Sequence, residues 1–275
     1  MDLVRPRTVL GRLIGVRKAP FNTRFTVQTS GTLGGWVGEN KPTPVGVLAF
    51  AANTLTVSKL GLIVPLTAEL VRSADPAALP LIERDMVNGI AQGSDAAFLD
   101  PAVAAVAGTN PASVTNGTTE VPSGGSTAAR VEADLLALIA AVNGGTLTAP
   151  AFVLKSETAI YLSRLRDVGG ARTFPDIGFS GGSIWGIPAL VSDNVGDRIV
   201  LIEASEVLLA DGLIELDVST QATLAMNTTP DDPSTAATVM RSLYQENLVA
   251  VKALRFITWK RARATSAAYI SGVTF

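Results

Sequence analysis

The sequence predicts an α+β fold with a long two-stranded flap, one long helix and a further region of mixed sheet and helices. Three observations carry this. Residues 24–29 and 49–65 both alternate crudely between polar and apolar, the pattern of half-buried strands. They flank residues 30–46, which hold five glycines and two prolines, a composition of turns and open loop. Next, Leu79, Ile82, Met86, Ile90 and Ala97 recur at three- and four-residue steps, an amphipathic stripe that predicts a helix over residues 80–99. Finally, beyond residue 127, helical stripes are interleaved with short strand-like runs, as expected of a mixed layer.

The flap organises the rest. A structureless stretch as long as 30–46 is uncommon in a compact domain, and Trp36 at its tip argues that it has something to pack against. An isolated hairpin is marginal in water, so neighbouring copies are expected to complete it.

Composition agrees with burial between subunits. The 275 residues are 47% hydrophobic and only 17% charged, and mean hydropathy is +0.35. No run of 18 apolar residues is present, so a membrane span does not explain that figure. The first 24 residues lack a signal-peptide core. The chain has no cysteine and no histidine. That removes disulfides, thiol nucleophiles, thiolate and imidazole metal sites, and the Ser-His-Asp triad. No cofactor or metal is expected. The remaining enzymatic reading is a carboxylate-dependent hydrolase built from Asp193, Asp197, Asp231 or Asp232, which requires an acidic cleft holding a metal. Nothing in the sequence gathers these four.

Charge is uneven. Residues 1–24 carry Arg5, Arg7, Arg12, Arg17, Lys18 and Arg24 against Asp2; residues 241–275 carry Arg241, Lys252, Arg255, Lys260, Arg261 and Arg263 against Glu246. Each end is therefore +5, and the net charge of −2 leaves −12 between them. Basic ends of this kind face a polyanion or pair with acidic neighbours such as Glu39 and Glu69.

In chain order, residues 1–20 form a basic arm. Pro6, Gly11 and Gly15 weaken a helix there, so an extended arm is expected. After the flap, residues 66–73 lead into the long helix, with Asp75-Pro76 or Pro80 marking its start. Gly89 and Gly93 inside it permit a close approach or a bend. Residues 101–127 form a connector. Asn116-Gly117-Thr118 matches a glycosylation pattern but lacks a secretory context. Ser126 or Thr127 caps a helix with Val131, Leu135, Leu138, Ile139 and Val142 on one face and Gly144 as its stop. Residues 152–154 form a buried strand, and Ser156 caps a further helix to residue 165. Residues 173–183 are a Gly-rich loop; a strand over 184–191 follows it, where a phosphate cradle needs a helix N-terminus. Asp193, Asn194 and Asp197 form a turn. Strands follow over 198–202, 213–218, 222–226, 248–259 and 267–274, the last returning near the base of the flap.

These pieces, in this order, resemble the major capsid protein family of tailed bacteriophages, whose fold is shared with encapsulins. GGWVGENKP resembles the tip of the family's extended E-loop. KLGLIVPLTAELV resembles the strand leading to its spine helix. WGIPALVSDNV and LIEASEVLLADGLIELDVS resemble the central part of the axial domain, and LYQENLVAVKALRFITWKRA the return to the peripheral domain. The resemblance implies an N-arm (1–20), an E-loop (21–66), a discontinuous P-domain (67–110 and 234–275) and an inserted A-domain (111–233). It implies hexamers and pentamers in an icosahedral shell around double-stranded DNA, in a virion assembled in the host bacterial cytoplasm. Portal, scaffolding and decoration proteins are implied partners, with non-specific DNA contact and no membrane. An encapsulin-like nanocompartment is the alternative, distinguished by its contents. The capsid resemblance implies E-loop contacts through Trp36, Glu39 and Lys41, and a basic arm of Arg5, Arg7, Arg12, Arg17 and Lys18. Some members cross-link a flap lysine to a neighbour's asparagine; Lys41 with Asn247 and Glu246 are the nearest counterparts, but the local motifs match poorly, and non-covalent closure is expected. Many members also carry an N-terminal scaffolding segment removed on maturation. Here the chain starts at the arm, so that segment is absent, separate or already removed.

Overall fold

The computed structural model describes residues 8–30, 34–46, 49–73, 78–142 and 147–275. Arg5, Arg7, the Asp75-Pro76 helix start and the Gly144 stop lie outside them. The arm contains a one-turn helix α1 (Val9–Arg12) and a short strand β1 (Arg17–Lys18); the flap is β2 (Arg24–Ser30) and β3 (Ala49–Thr54). Then come β4 (Lys59–Thr67), α2 (Ala68–Ser73) and the long helix α3 (Ala78–Leu99). The middle of the chain holds β5 (Thr119–Pro122), α4 (Ala128–Val142), β6 (Pro150–Leu154) and α5 (Ser156–Arg164). It continues with β7 (Ile177–Gly178), β8 (Gly181–Ile184), β9 (Ile187–Val191), β10 (Arg198–Glu203) and β11 (Val207–Ser219). The chain closes with β12 (Thr223–Ala225), β13 (Met240–Ser242), β14 (Leu248–Arg261) and β15 (Ala267–Ser271).

Two sheets organise these elements. One has the order β1-β11-β14-β4, the other β5-β15-β10-β6-β9-β8-β7; β2-β3 and β12-β13 are separate hairpins. The long helix α3 lies on the four-stranded sheet. Met86, Ile90 and Ala91 meet Ala253 and the partly buried Leu60, Leu62 and Val64. Gly89 eases this approach, since a Cβ there would sit 3.2 Å from Leu62, whereas a Cβ at Gly93 would meet Leu60 at an ordinary 3.7 Å. On the seven-stranded sheet, Val131, Leu135, Leu138 and Val142 of α4 pack on Phe152, Leu201 and Ile270. The expected helical stripe is therefore the buried face. A third core joins the sheets where Val9, Leu10, Phe98, Val207, Ile257 and Trp259 meet. In it Phe98 and Trp259 stack edge to face at 5.4 Å, and Trp259 Nε1 donates to Ala112 O at 2.8 Å.

Several expectations are corrected. The arm is not simply extended: Thr8 Oγ1 accepts from Gly11 N–H and caps α1, and buried Val9, Leu10 and Leu13 fix that turn in the core. The run 49–65 is two strands, not one. Leu55 is buried between them, and only β3 belongs to the flap, while β4 pairs with β14 over Leu248↔Thr67 to Phe256↔Lys59. The Gly-rich run 173–183 folds into the β7-β8 hairpin, and a turn at Trp185-Gly186 splits the strand expected over 184–191. Ser156 does not cap α5; it is the first residue of that helix, and the N-cap Lys155 makes no side-chain cap bond. Instead Asp193 accepts from Ser156 Oγ at 2.6 Å and from its N–H at 3.3 Å. Finally, β15, expected near the flap base, lies between β5 and β10 in the seven-stranded sheet, while β11 pairs with β14 in the four-stranded one.

Candidate subunit interface

Among the described residues the flap strands pair with each other: β2 and β3 run antiparallel from Arg24↔Thr54 to Ser30↔Ala49. Its loop turns at Asn40, which takes φ 58, with Lys41 N–H donating to Gly38 O at 3.1 Å. Trp36 and Val45 are almost wholly exposed, and Val37 and Phe50 are exposed as well. Glu39 and Lys41 are exposed on the same loop. The structure thus places Trp36, Glu39 and Lys41 on one loop, all three exposed. Exposed patches of this kind mark association surfaces.

A second apolar surface lies beside α3. Leu66, Val71, Ile82, Met86, Leu216 and Val218 line a cleft of about 320 Å³ between the helix and the four-stranded sheet. Its outer lip, Leu216 and Val218, is exposed.

The two basic ends differ: four C-terminal basic residues are ion-paired within the chain, whereas Arg17, Lys18 and Arg24 are exposed. Arg12 does not reach outward; its Nη2 donates to Val191 O at 2.6 Å. Arg241 pairs with Glu246, Lys252 with Asp217, Arg255 with Asp211 and Arg263 with Glu206, all within 3.4 Å. Arg261 donates to Asn116 O and Ala264 O, and burial holds its pKa below the usual arginine value. Within the chain the C-terminal basic residues Arg241, Lys252, Arg255 and Arg263 thus pair with acidic residues, while Lys260 is exposed. Arg17 and Lys18 remain exposed. Glu246 is held by Arg241, and the exposed Asn247 takes φ 53 in a turn whose carbonyl accepts from Ala68 N–H.

The four carboxylates of the hydrolase reading are dispersed. Asp193 serves α5, Asp231 accepts from Thr238 Oγ1 in an exposed loop, and among the described residues no group of three potential ligands could hold a metal.

Sequence reading missed Asp95. It lies on the buried side of α3, four residues after Ala91 and three before Phe98, and is 2% exposed. A charge at helical spacing within an apolar stripe was the available signal. Its Oδ1 accepts from Val9 N–H at 2.8 Å and its Oδ2 from Ser192 Oγ at 3.3 Å, so it bolts the arm to the long helix. Burial pushes its pKa from 3.8 up to about 6, outweighing the Val9 bond, Arg12, Ser192 and Arg255, which favour the charged form. A raised carboxyl pKa means the folded chain binds this proton more tightly than the unfolded chain. Its stabilising contribution is complete below pH 3.8 and is lost as pH rises through about 6. Two pKa units correspond to about 3 kcal/mol. We expect Asp95→Asn to remove this component: the stability difference between variant and wild type should change by that order between pH 4 and pH 7.5 in denaturant titrations. A pH-independent difference would refute the assignment.

Comparison with known proteins agrees with this geometry. The chain is 38% identical over 290 residues to the capsid polyprotein of Pseudomonas phage PAJU2, covering 100% of this chain and 43% of that protein. The chain therefore spans less than half the length of that curated relative. A solved structure from Mycobacterium phage Adephagia superposes with a TM-score of 0.72 at 14% identity, covering 96% of this chain and 89% of that one. One from Gordonia phage Cozz gives 0.70 at 17% identity, covering 96% and 86%. The α+β fold is the one these phage proteins share. The model of the phage capsid family matches residues 2–255, and this chain belongs to that family.

Proposed function

We propose that this chain is the structural, non-catalytic subunit of a closed icosahedral shell, built as hexamers and pentamers around double-stranded viral DNA in the virion. One observation carries the proposal: the chain extends a flap on which Trp36, Val37 and Val45 are exposed among the described residues. A monomer gains nothing from such a flap, whereas a shell buries one copy at every contact. In this reading α3, the four-stranded sheet and the flap form the peripheral unit. The seven-stranded sheet with α4 and α5 forms the axial unit, so β11 and β15 change places relative to a division at residues 111–233. Trp36, Glu39 and Lys41 are the flap contacts. Among the described arm residues, Arg17 and Lys18 supply the polyanion contact and Arg12 does not. Portal, scaffolding and decoration proteins are further partners on the same reading.

The test is negative-stain microscopy of purified protein, together with a denaturing gel. Capsomers or closed particles are expected. The gel band is expected at the single-chain mass of 28.4 kDa, because the exposed Lys41 lacks the desolvated setting that amide cross-linking by an amine requires. A stable monomer persisting at high concentration would overturn the proposal, and a ladder of higher bands would overturn non-covalent closure.

A further inference from the structure

The long helix α3 does not fill the sheet it lies on. Met86 and Ile90 reach Ala253 and the leucines of β4, but toward β11 a cleft of about 320 Å³ is left between helix and strands. The side chains there are short for the gap. Its floor is Val249, Val251 and Ala253 of β14, and its far wall is the end of β11. None of its lining is aromatic, whereas the adjoining core is filled by Phe98 and Trp259. The register shift between Asp211 and Ile214 also bends β11 where the cleft begins. Along α3 the cleft runs from Ile82 to Ile90, about 12 Å at the helical rise.

The interior of the cleft repels water. Every lining side chain except Glu83 is aliphatic or a thioether. A buried water needs about two to four polar partners, and these side chains offer none. An engineered apolar cavity of about half this volume stays dry and takes up benzene. At its mouth Glu83 is exposed, and the exposed Arg72 follows the lining Val71. Neither sign of charge is favoured there, so the rim suits a neutral polar group.

The cleft also faces away from the flap. Successive side chains of a strand point to opposite faces. Val249, Val251 and Ala253 face the cleft. The flap base does not: Leu55 packs on Leu208 and Ala210, whose partners in β14 are Lys260 and Thr258. Odd and even residues of β14 therefore serve opposite faces of the sheet. A neighbouring copy held in the same orientation brings its flap to the far side, away from the cleft.

We propose that this cleft is a binding site for a small neutral linear molecule, a medium-length alkyl chain ending in a hydroxyl. The chain lies along α3 between Ile82 and Ile90, and the hydroxyl stays at the mouth beside Glu83. Filling the gap couples α3 to β11, so the ligand stabilises the folded subunit. The site belongs to the subunit itself and stands whether or not the shell reading does.

Equilibrium dialysis of radiolabelled 1-hexanol, 1-heptanol and 1-octanol against the full chain tests it. Saturation at one molecule per chain is expected, with binding about fourfold tighter for each added methylene. Val251→Phe fills the cleft from its floor and should weaken 1-octanol binding at least tenfold without lowering the melting temperature. Methionine methyl NMR of the wild-type subunit locates the ligand independently of any variant. The Met86 signal should shift on adding 1-octanol, while those of the exposed Met226 and Met240 stay in place. No saturable binding, equal shifts of all three methionines, or full binding by a folded Val251→Phe would overturn the proposal. Binding that appears only after deletion of residues 1–7 would show that the chain covers its own cleft. Binding by free subunits but not by assembled particles would show that a second copy covers it. Either result would also overturn the proposal.

Discussion

Replacing residues 29–45 by a short Gly-Ser linker yields a folded subunit that forms no durable shell. The base of the flap is tied to the body: Asn22 N–H donates to Leu55 O at 2.7 Å, Leu55 N–H to Thr23 O at 3.3 Å, and buried Leu55 packs with Leu208, Ala210, Phe21 and Phe25. The replaced segment starts beyond that base, so the cores remain intact. What is lost is the apolar surface the flap offers to a neighbour. An aromatic such as Trp36 burying 150–250 Å² contributes roughly 4–6 kcal/mol per copy before ordering costs. Glu39 and Lys41 are exposed and contribute much less, chiefly to register. Circular dichroism melts of the subunit and particle counts by microscopy measure the two halves of the expectation. Shells of normal thermal stability would make the flap dispensable, and an unfolded chain would make it part of the core.

Asp211→Ala lowers the stability of the subunit by about 3–5 kcal/mol, the usual result of orphaning one partner of a buried ion pair. Arg255 Nε and Nη2 donate to Asp211 Oδ1 at 3.2 and 3.1 Å, with the two side chains only 3% and 7% exposed. The pair sits where the β11-β14 register shifts between Asp211 and Ile214, under the same helix that carries Asp95. Without the carboxylate a guanidinium stays buried beside α3. Arg255 Nη1 already lacks a hydrogen-bond partner among the described residues, so the pair is imperfectly satisfied. Replacing both residues, Asp211→Leu with Arg255→Met, should therefore recover most of the loss. Denaturant titration of the unassembled subunit reads both. A single variant within about 1 kcal/mol of wild type would show that water reaches the site, since exposed pairs are worth no more than that.

The elements that periodicity marks strongly were legible in the sequence. The 80–99 expectation became Ala78–Leu99, and Val131, Leu135, Leu138 and Val142 are the buried face of their helix. Short-range pattern could not reveal pairing partners. Ala267–Ser271 reads as a strand from its own residues, but nothing in it says that Ala268 will lie beside Leu201 and Thr119. Continuous alternation over 49–65 likewise conceals a break, because Leu55 continues the alternation while it turns into the core. The flap tip was readable because Gly, Pro and one tryptophan stand out locally. Asp95, Asp211 and Arg255 were not, because a buried charge looks like a surface charge until its neighbours in space are known.

The route of the chain between the two sheets has a mechanical consequence. It passes from one sheet to the other three times: through residues 100–118, through the single turn Ala204–Glu206 and through the single turn Ala264–Ser266. The two short passages are strapped together by Ala262 N–H to Glu206 O at 2.7 Å and by Arg263 with Glu206. The long passage is fastened to the same end of β14 by Trp259 and Arg261. All three therefore run through one seam. A single crossing would let the sheets swivel, whereas three laid side by side over a core shared by both sheets brace the junction against twist, shear and bending alike. The two sheets are then expected to move as one stiff unit, so a subunit that meets flatter or more sharply curved parts of a surface has to adapt outside this seam.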